Sequence, residues 1–169
     1  MQDRIDLLNE YLEDRGITNF TANEMGRLPN GNWDGPRFLL PEENDLPRIL
    51  PTMTCIQRIR NYIGPTRLNS VYRPQAYTDI LPGRVSEDSQ HGYFTAADYS
   101  AIDPAVPFSE VVGVSTSVVE MAIFQADLHN VRVPEDEQLY VGFFIYPGSE
   151  FCHLDIGTFR NAHIIRRVT

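Results

Sequence analysis

Apolar residues recur three and four positions apart at the start of the chain. Ile5, Leu8, Tyr11 and Leu12 form one stripe within residues 2–15, which predicts a short amphipathic helix stopped at Gly16. The pattern then dissolves. Residues 26–47 hold Gly26, Gly31, Gly35, Pro29, Pro36, Pro41 and Pro47, an irregular segment pinned by Trp33 and Phe38. Helical spacing returns over 49–63, where Met53, Ile56, Arg60 and Ile63 share a stripe that ends at Gly64-Pro65. Strict alternation over 67–73 predicts a short strand, with Leu68, Ser70 and Tyr72 on one face and Asn69, Val71 and Arg73 on the other. Pro74 keeps that strand from continuing into a central ladder. Residues 78–93 read as a loop, 93–102 as a strand, and 115–128 as a third helix carried by Val118, Met121, Ala122 and Phe124. After an acidic turn at 134–138, the apolar runs 139–146 and 151–156 read as two strands joined at Pro147-Gly148-Ser149, and 162–168 as a last strand. Helices lead and short strands follow, which predicts an α+β fold with a small antiparallel sheet packed against helices.

A chain of 169 residues fits one domain, and nine Phe, eight Tyr and one Trp are enough aromatic bulk to fill its core. The formal net charge is -9, and all 14 basic residues are arginine. That balance argues against non-specific nucleic-acid binding and against docking on an anionic membrane. The polar, acidic start lacks a signal-peptide pattern, and no apolar run is long enough to span a bilayer. The expectation is a soluble monomer, cytoplasmic at synthesis. Cys55 and Cys152 read as buried free thiols rather than a disulfide framework.

The H-E-x-x-H helix, glycine-rich phosphate loops, G-x-S-x-G and paired C-x-x-C motifs are all absent from the sequence. Two histidines stand in informative company. His91 closes a flexible loop seven residues before Asp98, and Gly92 breaks the strand regularity that would otherwise send the two side chains to opposite faces. Alone, such a pair is two solvated side chains more often than two ligands. His153 and Asp155 are two apart on a strand and share a face, while Cys152 and Leu154 point to the other, into the core. Glu150 joins the His153 face if the chain turns at residues 148–150. His, Asp and His as three nitrogen and oxygen donors, with one position left to water, is the pattern of a catalytic zinc site rather than a closed structural one. An additional carboxylate, Glu150, would act as the general base, and Arg73 at a strand end would offer a cation to a developing oxyanion. His129 reads as a helix-end residue, His163 as a packed or edge residue, and Trp33 as core or cleft wall. Glu135-Asp136-Glu137 is a solvated turn, because consecutive carboxylates do not alternate as a calcium loop requires.

The ordered motifs carry a resemblance. Ser70-Val71-Tyr72-Arg73 with Pro74-Gln75-Ala76-Tyr77 comes first, then Ser89-Gln90-His91 through Ala97-Asp98, then Glu150 through Asp155. In this order and spacing the chain resembles the zinc D-Ala-D-Ala carboxypeptidases, D,D-dipeptidases and phage endolysins. That group also contains the lysostaphin-type peptidases and the hedgehog domain. Phe20 through Met25 resembles the opening of many such domains, so the likeness runs over about residues 20–157, after an N-terminal helix in 1–19. It implies a zinc site in a cleft on the sheet, with His91, Asp98 and His153 as ligands and Glu150 as base. It further implies that Arg73 polarises the scissile carbonyl, and that Ser89, Tyr72 and Asp155 contact the substrate or support the ligands. Segments 26–47 and 103–113 have no counterpart in the likeness.

The resemblance implies Zn2+ as cofactor and a peptidoglycan stem peptide, or another D-Ala-containing peptide, as substrate. The bond cleaved would lie next to a D-amino acid, and the protein would reach the wall by a route other than a signal peptide. A non-catalytic binding or virion module that keeps the fold is the competing reading, and a zinc amidohydrolase acting on a non-wall amide is a third. Glu150 separates the first two, because a domain that only binds has no use for an uncoordinated carboxylate there.

Overall fold

The computed structural model describes residues 1–28, 33–81, 89–128, 137–146 and 148–160. Four helices and a 3-10 turn precede or interleave with the sheet: α1 (Gln2–Asp14), α2 (Ala22–Met25), a 3-10 helix (Glu43–Ile49), α3 (Leu50–Ile63) and α4 (Gln75–Thr78). A fifth helix, α5 (Phe108–Leu128), crosses between the second and third strands. The strands are β1 (Thr66–Ser70), β2 (Ala96–Ala101), β3 (Glu137–Ile145) and β4 (Cys152–Arg160). They form one antiparallel sheet in the order β1-β2-β4-β3, so the fold is α+β with a small antiparallel sheet.

The predicted helix at 49–63 is α3, which starts one residue later because Ile49 closes the preceding 3-10 helix. The helix expected at 115–128 begins seven residues earlier, at Phe108. Its first turns carry Val111, Val112, Val114 and Gly113, weak helix formers that hide the pattern from propensity. Burial wins instead: Val111, Ser115, Val118 and Val119 lie three to four apart and are all buried. The strand read at 67–73 stops at Ser70, where a bulge interrupts its pairing with β2. The strand read at 93–102 begins only at Ala96, because residues 90–94 turn. The expected turn before β4 is present, with Gly148 at φ 77 and the Ser149 amide donating to the Tyr146 carbonyl at 3.0 Å. The possible strand 162–168, His129, His163 and residues 134–136 lie outside the described residues; Glu137 and Gln138 belong to β3. In the described part of the 26–47 segment, whose end from Glu43 coils as 3-10, Trp33 and Phe38 both make anchoring contacts. The Trp33 ring meets Tyr77 edge-on at 5.5 Å, and Phe38 pairs with Arg27 and packs over Gly26.

Alternation gives the sheet two chemical faces. Ala97, Tyr99, Cys152, Leu154, Ile156 and Val141 belong to the core shared with α3 and α5. Cys55 and Cys152 are both buried free thiols. The other face carries Asp98, His153 and Asp155, with Asp98 directly opposite His153 and Gly142 opposite Asp155. No described helix is long and apolar enough to cross a membrane.

One buried hydroxyl ties α3 to this sheet. Thr52 donates to the Thr95 carbonyl at 2.6 Å and accepts the Ile156 amide at 3.0 Å, just where β2 begins and β4 passes it. Thr52→Val keeps the shape and removes the bond, leaving buried partners short of one contact. We predict a loss of about 1–3 kcal/mol, seen as a lower urea midpoint with an unchanged slope.

Candidate metal centre

The turn at residues 90–94 places the first histidine. Gly92 donates its amide to the Ser89 carbonyl at 2.8 Å, Phe94 to His91 at 3.3 Å and Thr95 to Gln90 at 3.2 Å. The residue that takes the left-handed backbone here is Phe94, at φ 59, not Gly92. Such a φ is uncommon outside glycine. The fully buried Phe94 ring, packed edge-on against Tyr72 at 5.8 Å, offsets that cost. The turn brings His91 back over β2. Two hydrogen bonds then zip it to the chain after β1: His91 Nδ1–H donates to the Val71 carbonyl at 2.7 Å, and the Arg73 amide donates to the His91 carbonyl at 3.2 Å.

Those contacts aim three donors at one point. His91 Nε2 lies 3.2 Å from His153 Nδ1 and 3.4 Å from Asp98 Oδ1; His153 Nδ1 and Asp98 Oδ1 are 2.7 Å apart. His91, Asp98 and His153 are all buried, and their ligand atoms lie close enough together that the cluster could hold a metal ion. Bonds of about 2.0–2.1 Å at tetrahedral angles separate ligand atoms by about 3.3 Å. Two of the three spacings match this. The third is a hydrogen-bond distance, which relaxes when the proton between the pair leaves.

The tautomers are fixed by the neighbours. With its Nδ1 proton spent on Val71, His91 presents the Nε2 lone pair inward. Burial pushes this imidazole down to about 4, against the pull of Asp98, so it is neutral at pH 7. His153 is clamped between two carboxylates, Asp98 at Nδ1 and Asp155 Oδ2 at Nε2, 3.0 Å away. Burial opposes its charge, but bonds to Asp155 and Asp98 overcome burial and raise it to about 9. Asp98 is likewise opposed by burial, yet His91 and His153 hold it well below the usual carboxylate range. Burial raises Asp155, offset in part by His153. Were His153 to ligate a metal through Nδ1, its Nε2–H would remain to donate to Asp155, the carboxylate–histidine support common at metal sites.

Arg73 stands beside this cluster. Its Nη2 is 3.5 Å from Asp98 Oδ2, and its buried Nε has no hydrogen-bond partner, so donor capacity is unspent next to the three ligands. Glu150 is exposed at the bend before β4, three residues from His153 and outside the ligand cluster. Ser89 is half-buried at the start of the His91 turn. Tyr72 packs its ring edge-on against Phe94, and burial together with Asp45 and Glu42 raises its phenol. Sequence reading passed over Phe144 and Tyr146, whose rings lie 5.6 and 6.1 Å from the His153 ring. Phe144 is the β3 residue opposite His153. The signal was its place in the apolar run, legible only once the strand pairing is known.

No family model, curated protein or solved structure matches the chain. The geometry makes a prediction of its own. Because both His153 nitrogens face carboxylates, the metal-free ring carries two protons, and an ion must displace one. Below pH 9, Zn2+ affinity should rise roughly tenfold per pH unit and level off above it. Calorimetry at pH 7 in buffers of different ionisation enthalpy should show one proton released per ion. Uptake without proton release would remove His153 from the ligand set.

Proposed function

We propose that this chain is a zinc-dependent peptidase that hydrolyses a bond next to a D-amino acid in peptidoglycan peptides. The observation that carries the reading is the convergence of His91 Nε2, His153 Nδ1 and Asp98 Oδ1, with the His91 tautomer set by Val71, Asp155 held at His153 Nε2 and Arg73 alongside. Two neutral imidazoles and one carboxylate suit zinc in a catalytic arrangement, which keeps an open position. When bound, zinc supplies Lewis acidity: it polarises a carbonyl and makes water a better nucleophile at neutral pH. The wall-peptide substrate is supported by the order of the three motifs, S-x-Y-R, S-x-H-x6-D and E-x-x-H-x-D.

The chain's own residues divide the work as follows. His91, Asp98 and His153 hold the ion, while the Val71 carbonyl and Asp155 keep the two rings in the right tautomer. Glu150, exposed at the bend before β4, takes the proton from attacking water and returns it to the leaving amine. The half-buried guanidinium of Arg73 donates its unspent N–H groups to the oxygen on which charge develops. Its ion pair with Asp98 is long, so it does not consume those donors.

Two variants test the roles on a D-Ala-D-Ala-terminated stem peptide. Glu150→Gln should keep stoichiometric zinc and lose about 10²–10⁴-fold in kcat. Arg73→Ala should lower kcat by about 10²–10³-fold with a smaller change in KM, and Arg73→Lys should recover only part, because a point charge lacks the guanidinium fork. Zinc loss in Glu150→Gln would make that residue a ligand. Unchanged turnover in a zinc-loaded Arg73→Ala protein would return Arg73 to a structural ion pair. Iron recovered in place of zinc would reassign the centre, since two histidines and one carboxylate also serve non-haem iron.

A further inference from the structure

We infer that Gly142 is a positioning residue of the centre: its missing side chain lets Asp155 lie across β3 and hold the His153 imidazole. The inference rests on the metal-centre reading above and concerns how the site is assembled, not what it cleaves.

Gly142 lies directly opposite Asp155 in the β3–β4 ladder. A Cβ at position 142 would fall 2.5 Å from Asp155 Oδ2 and 2.9 Å from its Cγ. Oδ2 is the same oxygen that meets His153 Nε2 at 3.0 Å. The carboxylate cannot simply step aside. Asp155 is fully buried, its other oxygen, Oδ1, has no hydrogen-bond partner among the described residues, and the Gly142 backbone itself hydrogen-bonds the carboxylate. The same Cβ would come within 2.7 Å of Phe144 Cε2, on the ring that packs against His153.

Backbone conformation does not explain this glycine. Gly16, Gly64 and Gly148 have positive φ, and Gly142 is not among them. An alanine is conformationally admissible in such a strand and costs less chain entropy than glycine. A glycine inside a strand otherwise marks close approach of another group, and here that group is a buried carboxylate. The chemistry depends on it because the metal needs Nδ1 of His153 free of its proton, so the remaining proton must sit on Nε2. A carboxylate at Nε2 stabilises that tautomer and fixes the ring plane. A side chain at position 142 displaces the carboxylate and leaves the ring without its guide.

The test is a double-mutant cycle read as Zn2+ affinity, by competition with a chromophoric chelator at fixed pH. Gly142→Ala should weaken zinc about 10–100-fold in the native background, the usual cost of losing such a supporting partner. In an Asp155→Ala background the same change should cost less than about threefold, because the group it acts through is gone. Equal losses in both backgrounds would mean that Gly142 acts through Phe144 or the backbone, and an unchanged affinity would mean it does not act; either overturns the inference. Should Gly142→Ala fail to fold, restored folding in the double variant supports the clash with Asp155, and continued misfolding overturns it. A wild-type protein that takes up no zinc would instead sink the metal-centre reading itself.

Discussion

The antiparallel register that sets Asp98 opposite His153 is the constraint on which the centre depends. Facing residues of an antiparallel pair project side by side on one face, so the hydrogen bond between them follows from strand pairing alone. A slip of one residue would send His153 and Asp155 into the core and bring Cys152 and Leu154 to the polar face. The apolar residues of β2 and β4 resist that slip. Tyr99 donates its buried hydroxyl to Ser115 at 2.7 Å on α5, and Thr52 grips both strands from α3. The core packing and the polar face thus enforce the same register from opposite sides of one sheet.

Burying Asp98, Asp155 and His153 beside the half-buried Arg73 is costly unless every charge has a partner. The cluster meets that condition by alternation: Asp155, His153, Asp98 and Arg73 stand in a chain of opposite charges, and neutral His91 completes it. Only Asp155 Oδ1 and Arg73 Nε remain without partners among the buried side-chain atoms described. The first belongs to the carboxylate that orients a ligand, and the second to the cation beside the ligands. Unspent hydrogen-bonding capacity of this kind is expected where a protein keeps groups ready for something other than itself.

Preorganisation is the common theme of these contacts. His91 is tied to Val71 through its ring and to Arg73 through its carbonyl, so the segment after β1 and the turn before β2 move as one unit. A site whose ligands are already oriented loses little entropy on binding an ion. In the proposed reaction the same coupling keeps the guanidinium at a set distance from the metal ligands.

Features that depend on local periodicity were legible from residue order. His153 and Asp155 had to share a face, and Cys152 and Leu154 the other, because side chains alternate along any strand. The turn at Gly148-Ser149, the helix stops at Gly16 and Gly64 and the α+β class were legible for the same local reason. Only the tertiary structure decided what depends on partners distant in the chain. The long start of α5 wins by burial against weak propensity. The swing of His91 comes from a strained Phe94 that only a packed core can hold. Gly142 looks like a flaw in an apolar strand until the register puts Asp155 over it. Tyr72, adjacent to Arg73 in the sequence, packs its ring on Phe94, a partner that local spacing does not reveal. Local spacing constrains which way a side chain points, but what it meets there is set by strand register and core packing, whose energies are summed over the whole molecule.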